Sequence, residues 1–286
     1  VYEDIVAFWV ANGHPEGGDQ RRNPMPASQT SPRRWRAWPL CLALAAACTG
    51  LALAQPFDFF HVGSFQRMQH TGNTAGQAAL ATLPQRPGTW GVGAMAGLRG
   101  EIVQIDGRLL VSPGTDAQGR VQAPGADEQA LLFASARVTR WVDVPVPTDL
   151  DQAGLEAFVR AQAAAHGLAA DQPFAFRVEG RFPQLRWHVV TGEPPAAGQG
   201  GGHAGHAGGH GGGHGHANAR SGMRVFHAPG ATGQLVGIVS GAALEGVVSH
   251  PGERFHLHYV DAAAAVSGHV DAYAVAAGAV LKLPLP

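Results

Sequence analysis

Three observations predict an α+β fold made mostly of antiparallel or mixed β-sheet, with two modest helices. Short runs of β-branched and apolar residues alternate with polar ones and stop at Gly, Pro, Asn or Asp, the pattern of half-buried strands joined by turns. Only two stretches space their apolar residues as a helix does. The C-terminal third is strand-like almost throughout, ending in the paired segments Phe255–Val260 and Ser267–Tyr273.

The elements follow in order. Thr71 to Leu83 predicts the first helix, with Thr71 and Asn73 as capping residues and Pro84 as the stop. Glu101 to Ser112 predicts a hairpin, because Asp106-Gly107 between two apolar runs is a type I′ turn signal. Ala130 to Val142 predicts one or two strands. Asp149 to Gly167 predicts the second helix, with Leu155, Phe158, Val159 and Ala163 as its apolar stripe and Gly167 as its stop. Phe174 to Val190 alternates again and is expected to turn near Gly180. Strands at Met223–His227 and Gln234–Ser240 lead into a hairpin that carries histidines.

Residues 25–54 read as a secretory signal peptide. Arg33, Arg34 and Arg36 precede an apolar run from Pro39 to Ala47, and Ala52-Leu53-Ala54 is a small-x-small cleavage site. Residues 1–24 then form an upstream extension, and residues 55–286 form the folded domain, secreted or periplasmic after cleavage behind Ala54. The apolar run is short for a membrane span, so no membrane association is expected after cleavage. A lipid anchor at Cys48 is disfavoured by Ala45-Ala46-Ala47, which lacks the leucine usual before such a cysteine. Residues 198–218 are mostly Gly and Ala with His203, His206, His210, His214 and His216, and predict a disordered insertion. Such a tract either captures Zn²⁺, Ni²⁺ or Cu²⁺ or is a low-complexity insertion with incidental metal affinity.

Composition excludes several chemistries. Both cysteines, Cys41 and Cys48, fall in the signal, which leaves the folded domain without a disulfide, a thiol nucleophile or a thiolate zinc site. Lys282 is the only lysine, which disfavours Schiff-base chemistry. Twenty basic residues against 21 acidic ones leave no basic stripe, so nucleic acid is not an expected partner.

The histidine hairpin points to a metal. His256 and His258 are two apart and share a face if the segment is a strand. A strand-turn-strand return brings His269 alongside. Three imidazoles with one coordination position open are the usual form of a catalytic zinc site. In this arrangement Phe255, Leu257 and Tyr259 face the core, and His256, His258 and Val260 face a cavity. The alternative is three histidines on a solvated sheet face. Neutral imidazoles leave a metal its full charge, which suits Lewis-acid work on an oxygen-rich substrate. Asp271 and His250 are nearby candidates to support the ligands. Glu101, after the glycine-rich Gly91–Gly100, is either a general acid or base or a solvated strand residue.

Together these residues resemble the α-acetolactate decarboxylase family, from about Phe59 to Pro284. The resemblance is carried by Gly91-x-Gly-x-x-x-x-Leu-x-Gly-Glu101 with Asp106-Gly107, by Phe174-x-x-Arg-Val-Glu-Gly-x-Phe182, by Gly233-x-Leu-Val-Gly-Ile238, and by His256-Leu-His258 with Gly268-His269-Val. It implies a decarboxylase-type fold with the metal on a C-terminal hairpin, and zinc, or another divalent transition metal, on His256, His258 and His269. It also implies Glu101 in proton transfer. The implied reaction converts (S)-α-acetolactate to (R)-acetoin: adjacent hydroxyl and ketone oxygens chelate the metal, CO₂ leaves, and an enediolate is protonated on one face. The implied partner is a small 2-hydroxy-3-keto acid, and a homodimer is compatible with the resemblance. Departures stand at Ala94, where the family has threonine, and at Arg99, where it has aspartate. His188 replaces the arginine expected to hold the substrate carboxylate, and Arg186, on the same strand face, is the candidate substitute. The family chain also continues past the equivalent of Leu283-Pro284 to a second acidic residue, whereas this sequence stops at Pro286.

Two other readings are open at this point. Pro251-Gly252 before His-x-His is shared with cupin metal enzymes, although no glutamate follows His258 at the spacing of their fourth ligand. A non-catalytic periplasmic metal-buffering protein also accounts for the histidine-rich tract.

Overall fold

The computed structural model describes residues 57–193 and 221–286, arranged as two β-sheets and two α-helices. The expected signal segment (25–54), the expected upstream extension (1–24) and the glycine- and histidine-rich tract (198–218) lie outside the described residues. The first sheet contains β1 (Asp58–Val62), β2 (Ala78–Ala79), β3 (Thr89–Met95), β4 (Gly100–Ile105), β5 (Arg108–Pro113) and β6 (Gln129–Arg137). Its order is β1-β6-β3-β4-β5, with β2 also paired to β6. The second contains β7 (Trp141–Pro145), β8 (Leu150–Asp151), β9 (Phe174–Phe182), β10 (Gln184–Val190), β11 (Met223–His227), β12 (Ala231–Val239), β13 (Phe255–Asp261), β14 (Ser267–Val275) and β15 (Val280–Pro284). Its order is β11-β10-β14-β13-β12-β9-β15-β7, with β8 on β14. All pairings between these strands are antiparallel.

The two sheets share one core. Trp90, Val92, Val103 and Ala134 of the first belong to one buried cluster with Val236 and Ile238 of the second. The opposite face of the first sheet is also covered: Leu80, Met95, Ile102, Val111 and Phe133 form a second cluster there. This explains why β3 is buried along its whole length. A strand covered on both faces reads as a continuous apolar run and loses its alternation. No helix among the described residues is long and apolar enough to cross a membrane.

Several expected elements stand as predicted. Asp106 (φ 49°) and Gly107 (φ 84°) form the two-residue turn between β4 and β5, both in the left-handed region that a type I′ turn demands. Ala130–Val142 resolves into β6 and the start of β7. The second helix, α2 (Gln152–Ala165), begins at Asp151, whose Oδ1 accepts from Gly154 N at 2.8 Å, and it buries Leu155, Val159 and Ala163. Phe158 packs against the same core while only partly buried.

Two expectations are corrected. The first helix, α1, covers Phe65–Thr71, so it ends where Thr71–Leu83 was expected to begin. Ser64 caps it, and Gly72 (φ 68°) closes it with its N–H donating to Met68 O. Asn73 Oδ1 accepts from Ala75 N in a local turn, and the chain then runs extended so that Ala78–Ala79 pair with Gln129–Ala130. The helical spacing after residue 73 is therefore overridden by docking to β6; only a single 3-10 turn at Leu80–Thr82 survives. The turn expected near Gly180 falls instead between Phe182 and Gln184. Gly180 lies inside β9 opposite Gly233 and is close-packed: a Cβ there would sit 2.5 Å from that of Ala279.

Candidate metal centre

The histidines come together by strand register. On β13, His256 and His258 follow the two-residue period, and β14 sets His269 directly opposite His258. On the far side of β14, His188 of β10 is opposite His269. A row of imidazoles thus crosses three adjacent strands, with ring centroids 5.6 Å apart for His258 and His269 and 5.0 Å apart for His188 and His269. His256 adds the corner, 5.1 Å from both His258 and His269. One ring nitrogen from each of His256, His258 and His269 lies within 4.8 Å of the others, close enough to hold one metal ion. The solvated-face alternative is ruled out by burial, since His256 is 2 % exposed and His258 0 %.

Local bonding prepares these rings for a metal. His256 Nδ1 donates to the Val248 carbonyl at 3.0 Å, which leaves Nε2 as the lone-pair nitrogen. Both ring nitrogens of His258 are buried without a hydrogen-bond partner. An orphaned polar group of this kind costs about 1–3 kcal/mol. A cation accepting its lone pair removes part of that cost, so the donor set fits a metal. Burial pushes all three imidazoles down, His256 to about 4 and His258 and His269 well below the usual histidine value, with neighbouring histidines adding to the effect. They are neutral near pH 7, the form that ligates.

Glu101 reaches the same point from the other sheet. It is 3 % exposed, its Oε1 accepts from Val190 N at 3.3 Å, and its Oε2 lies 3.7 Å from His258 Nε2. The solvated-strand alternative for this residue is therefore excluded. Desolvation raises its carboxyl to about 7, against opposing pulls from His188 and the Val190 N–H. A buried carboxyl poised near neutrality can give or take a proton.

The remaining site candidates cluster on Asp271. His188, 3 % exposed, donates from Nδ1 to Asp271 Oδ1 at 2.8 Å. Arg186 Nε lies 3.4 Å from Asp271 Oδ2. Arg186 and His188 keep the expected shared face, because β10 is regular against β11; the register shift between β10 and β14 leaves Asp271 of β14 as the extra residue, and both side chains converge on it. His250 also belongs to the cluster, its ring 5.5 Å from His269 and 4.2 Å from Phe65. Ala94 is buried in a small apolar cluster with Phe65 and Leu98, whereas Arg99 is exposed and donates to the Ala96 carbonyl. The face expected to open on a cavity is largely closed by Phe65, edge-on to His256 at 5.2 Å, and by Glu101. His269 keeps some exposure and lines a cavity of about 280 Å³. Sequence reasoning missed Phe65, the Val248 carbonyl and the Val190 N–H. The last two are backbone groups with no side-chain signature.

No family model and no curated protein matches this sequence. Solved structures do match. An α-acetolactate decarboxylase from Bacillus subtilis strain 168 is similar at a TM-score of 0.59 and 16 % identity, over 79 % of this chain and 85 % of that one. Acetolactate decarboxylase from Bacillus subtilis subspecies spizizenii gives 0.58 and 14 %, over 80 % and 86 %. A Staphylococcus aureus protein of unknown function, described as similar to α-acetolactate decarboxylase, gives 0.54 and 16 %, over 78 % and 83 %. These likenesses establish the fold: the chain is built as acetolactate decarboxylases are.

Proposed function

We propose that this chain is a zinc-dependent carboxy-lyase, a divergent relative of the acetolactate decarboxylases, that converts (S)-α-acetolactate to (R)-acetoin and CO₂. The observation that carries this reading is the convergence of three neutral imidazoles on a buried carboxyl, with Glu101 Oε2 3.7 Å from His258 Nε2. Departure of CO₂ leaves an electron pair that the neighbouring ketone can delocalise, so the substrate serves as its own electron sink. Zinc, or another divalent transition metal, held by His256, His258 and His269 would supply positive charge against that developing negative charge. The carbon then takes up one proton. Glu101, held near 7 by burial, is protonated in a substantial fraction of molecules at neutral pH and is assigned as the donor. Its fixed position, anchored by Val190 N, favours delivery to one face and hence one enantiomer. Arg186 and His188, both tied to Asp271, are assigned the orientation of the substrate carboxylate. The signal-like segment 25–54 supports placing this chemistry in a secreted or periplasmic protein.

The test is acetoin formation by purified, zinc-loaded protein given racemic α-acetolactate. The expected result is turnover that consumes one enantiomer first and is lost in His256→Ala. Acetoin no faster than in that variant overturns the assignment.

A further inference from the structure

The short helix α1 depends on one loop for its start. With seven residues it is too short to persist alone in water, and only Phe65 and Met68 of it are buried. The first N–H groups of a helix find no partner inside it. Ser64 Oγ accepts from Arg67 N at 3.3 Å, but the two preceding donors are satisfied from outside. Phe65 N donates to Val247 O at 3.1 Å and Gln66 N to Gly246 O at 2.7 Å. Ser64 Oγ also donates to Gly246 O, at 3.4 Å.

The same loop holds one of the three clustered histidines. It joins β12 to β13 and closes at its base, where Ser240 N donates to Arg254 O at 2.9 Å. Inside it, Val247 N and Val248 N both donate to Leu244 O, so residues 244–248 form one tight turn. Gly246, at φ 75°, takes a left-handed conformation that glycine adopts without strain. Three consecutive carbonyls of this turn then serve two different elements. Gly246 O and Val247 O hold the start of α1, and Val248 O accepts from His256 Nδ1 at 3.0 Å. Phe65 completes the link from the α1 side. Its ring lies 5.2 Å from that of His256 and 4.2 Å from that of His250, a later residue of the same loop.

A hydrogen bond at one imidazole nitrogen and a cation at the other reinforce each other. The carbonyl at Nδ1 raises the basicity of Nε2, and a cation at Nε2 makes Nδ1–H a stronger donor. The bond to Val248 then moves toward the charge-assisted kind, about twice as strong as a neutral one. A tighter Val248 bond fixes the turn, and the fixed turn presents its two neighbouring carbonyls to α1.

We propose that the turn at residues 244–248 is a clamp that couples metal occupancy of the histidine cluster to the docking of α1, with Phe65 as the positioning residue carried over the cluster. This coupling rests on the metal-centre reading above and adds the element that responds to the ion. It is reciprocal: the ion tightens α1, and docked α1 tightens the ion.

The test is amide hydrogen exchange on the full chain, with zinc and with chelator. It is read at Phe65, Gln66, Met68 and Gly72, with β7, at the edge of the second sheet, as the reference. Zinc is expected to slow exchange about tenfold in α1 and less than twofold in β7. His258→Ala, which leaves the histidine-rich tract of the sequence intact, is expected to abolish that effect. Zinc affinity, read by competition with a chelating dye at the site that His258→Ala removes, is expected to fall about tenfold in Phe65→Ala. If Phe65→Ala does not fold, the exchange measurement on wild type decides. No slowing in α1, equal slowing in α1 and β7, or slowing that persists in His258→Ala overturns the clamp. So does unchanged zinc affinity in folded Phe65→Ala. The two claims fail separately: a zinc site lost in His258→Ala without protection of α1 removes only the clamp. Zinc binding that His258→Ala leaves unaltered removes the metal centre, and the clamp with it.

Discussion

Glu101 Oε2 stands 3.7 Å from His258 Nε2, with the glutamate side chain 4 % exposed and the histidine 0 %. The pair joins β4 of one sheet to β13 of the other. Each group alone would be costly to bury, and each is held by burial in its uncharged form more than free solution would allow.

Glu101→Gln keeps the shape of the side chain and removes the proton. The expected loss in kcat is about 10²- to 10⁴-fold with zinc content unchanged. Single-turnover kinetics beside metal analysis check this; retention of most of the activity would remove Glu101 from proton transfer.

The same substitution has a pH signature in the metal-free protein. The folded carboxyl is raised from 4.5 to about 7, so the folded state binds the extra proton between those values. The contribution of Glu101 to stability is fully present below 4.5 and is lost as pH rises through about 7. Glu101→Gln should therefore gain on wild type as pH rises, by at most ~3 kcal/mol at pH 8. Urea midpoints at pH 5 and pH 8 measure the difference.

The three clustered histidines, His256, His258 and His269, act in the opposite direction. Their folded values lie below 6.5, with His256 at about 4, so the unfolded chain binds more protons below neutrality. Metal-free protein should lose stability as pH falls from about 7 toward about 4. Zinc should counter that loss near neutrality by stabilising the folded state, by about 4 kcal/mol at a thousandfold excess over Kd. Calorimetric scans with zinc or with chelator test both effects, and His258→Ala should erase the difference between them.

Asp271→Asn tests the support of Arg186 and His188. With one carboxylate oxygen replaced by an amide, both partners lose charge-assisted contact. KM for α-acetolactate should rise about tenfold while zinc content stays the same. A fall in zinc content with KM unchanged would assign Asp271 to support of the proposed metal centre instead.

How much of this was legible in the sequence varies by residue. His256 and His258 share a face by strand period alone, and the Asp106-Gly107 turn and the stripe of α2 are local signals that the structure keeps. The helix expected at Thr71–Leu83 shows where local signals stop. Its spacing was compatible with a helix, but β2 gains more by pairing with β6, and Gly72 ends the helix first. Phe65 and the Val248 carbonyl carried no local signal, because their roles depend on what packs against them.

The sequence by itself determined the histidine types, their spacing, the scarcity of lysine, and the resemblance through which Glu101 was paired with the histidines. Tertiary structure alone decided that Glu101 and His258, far apart along the chain, meet in a water-excluded place. The reason is physical. Spacing along a strand sets which side chains share a face, but desolvation, which lifts a carboxyl to about 7 and keeps imidazoles neutral, exists only once two sheets have closed over them.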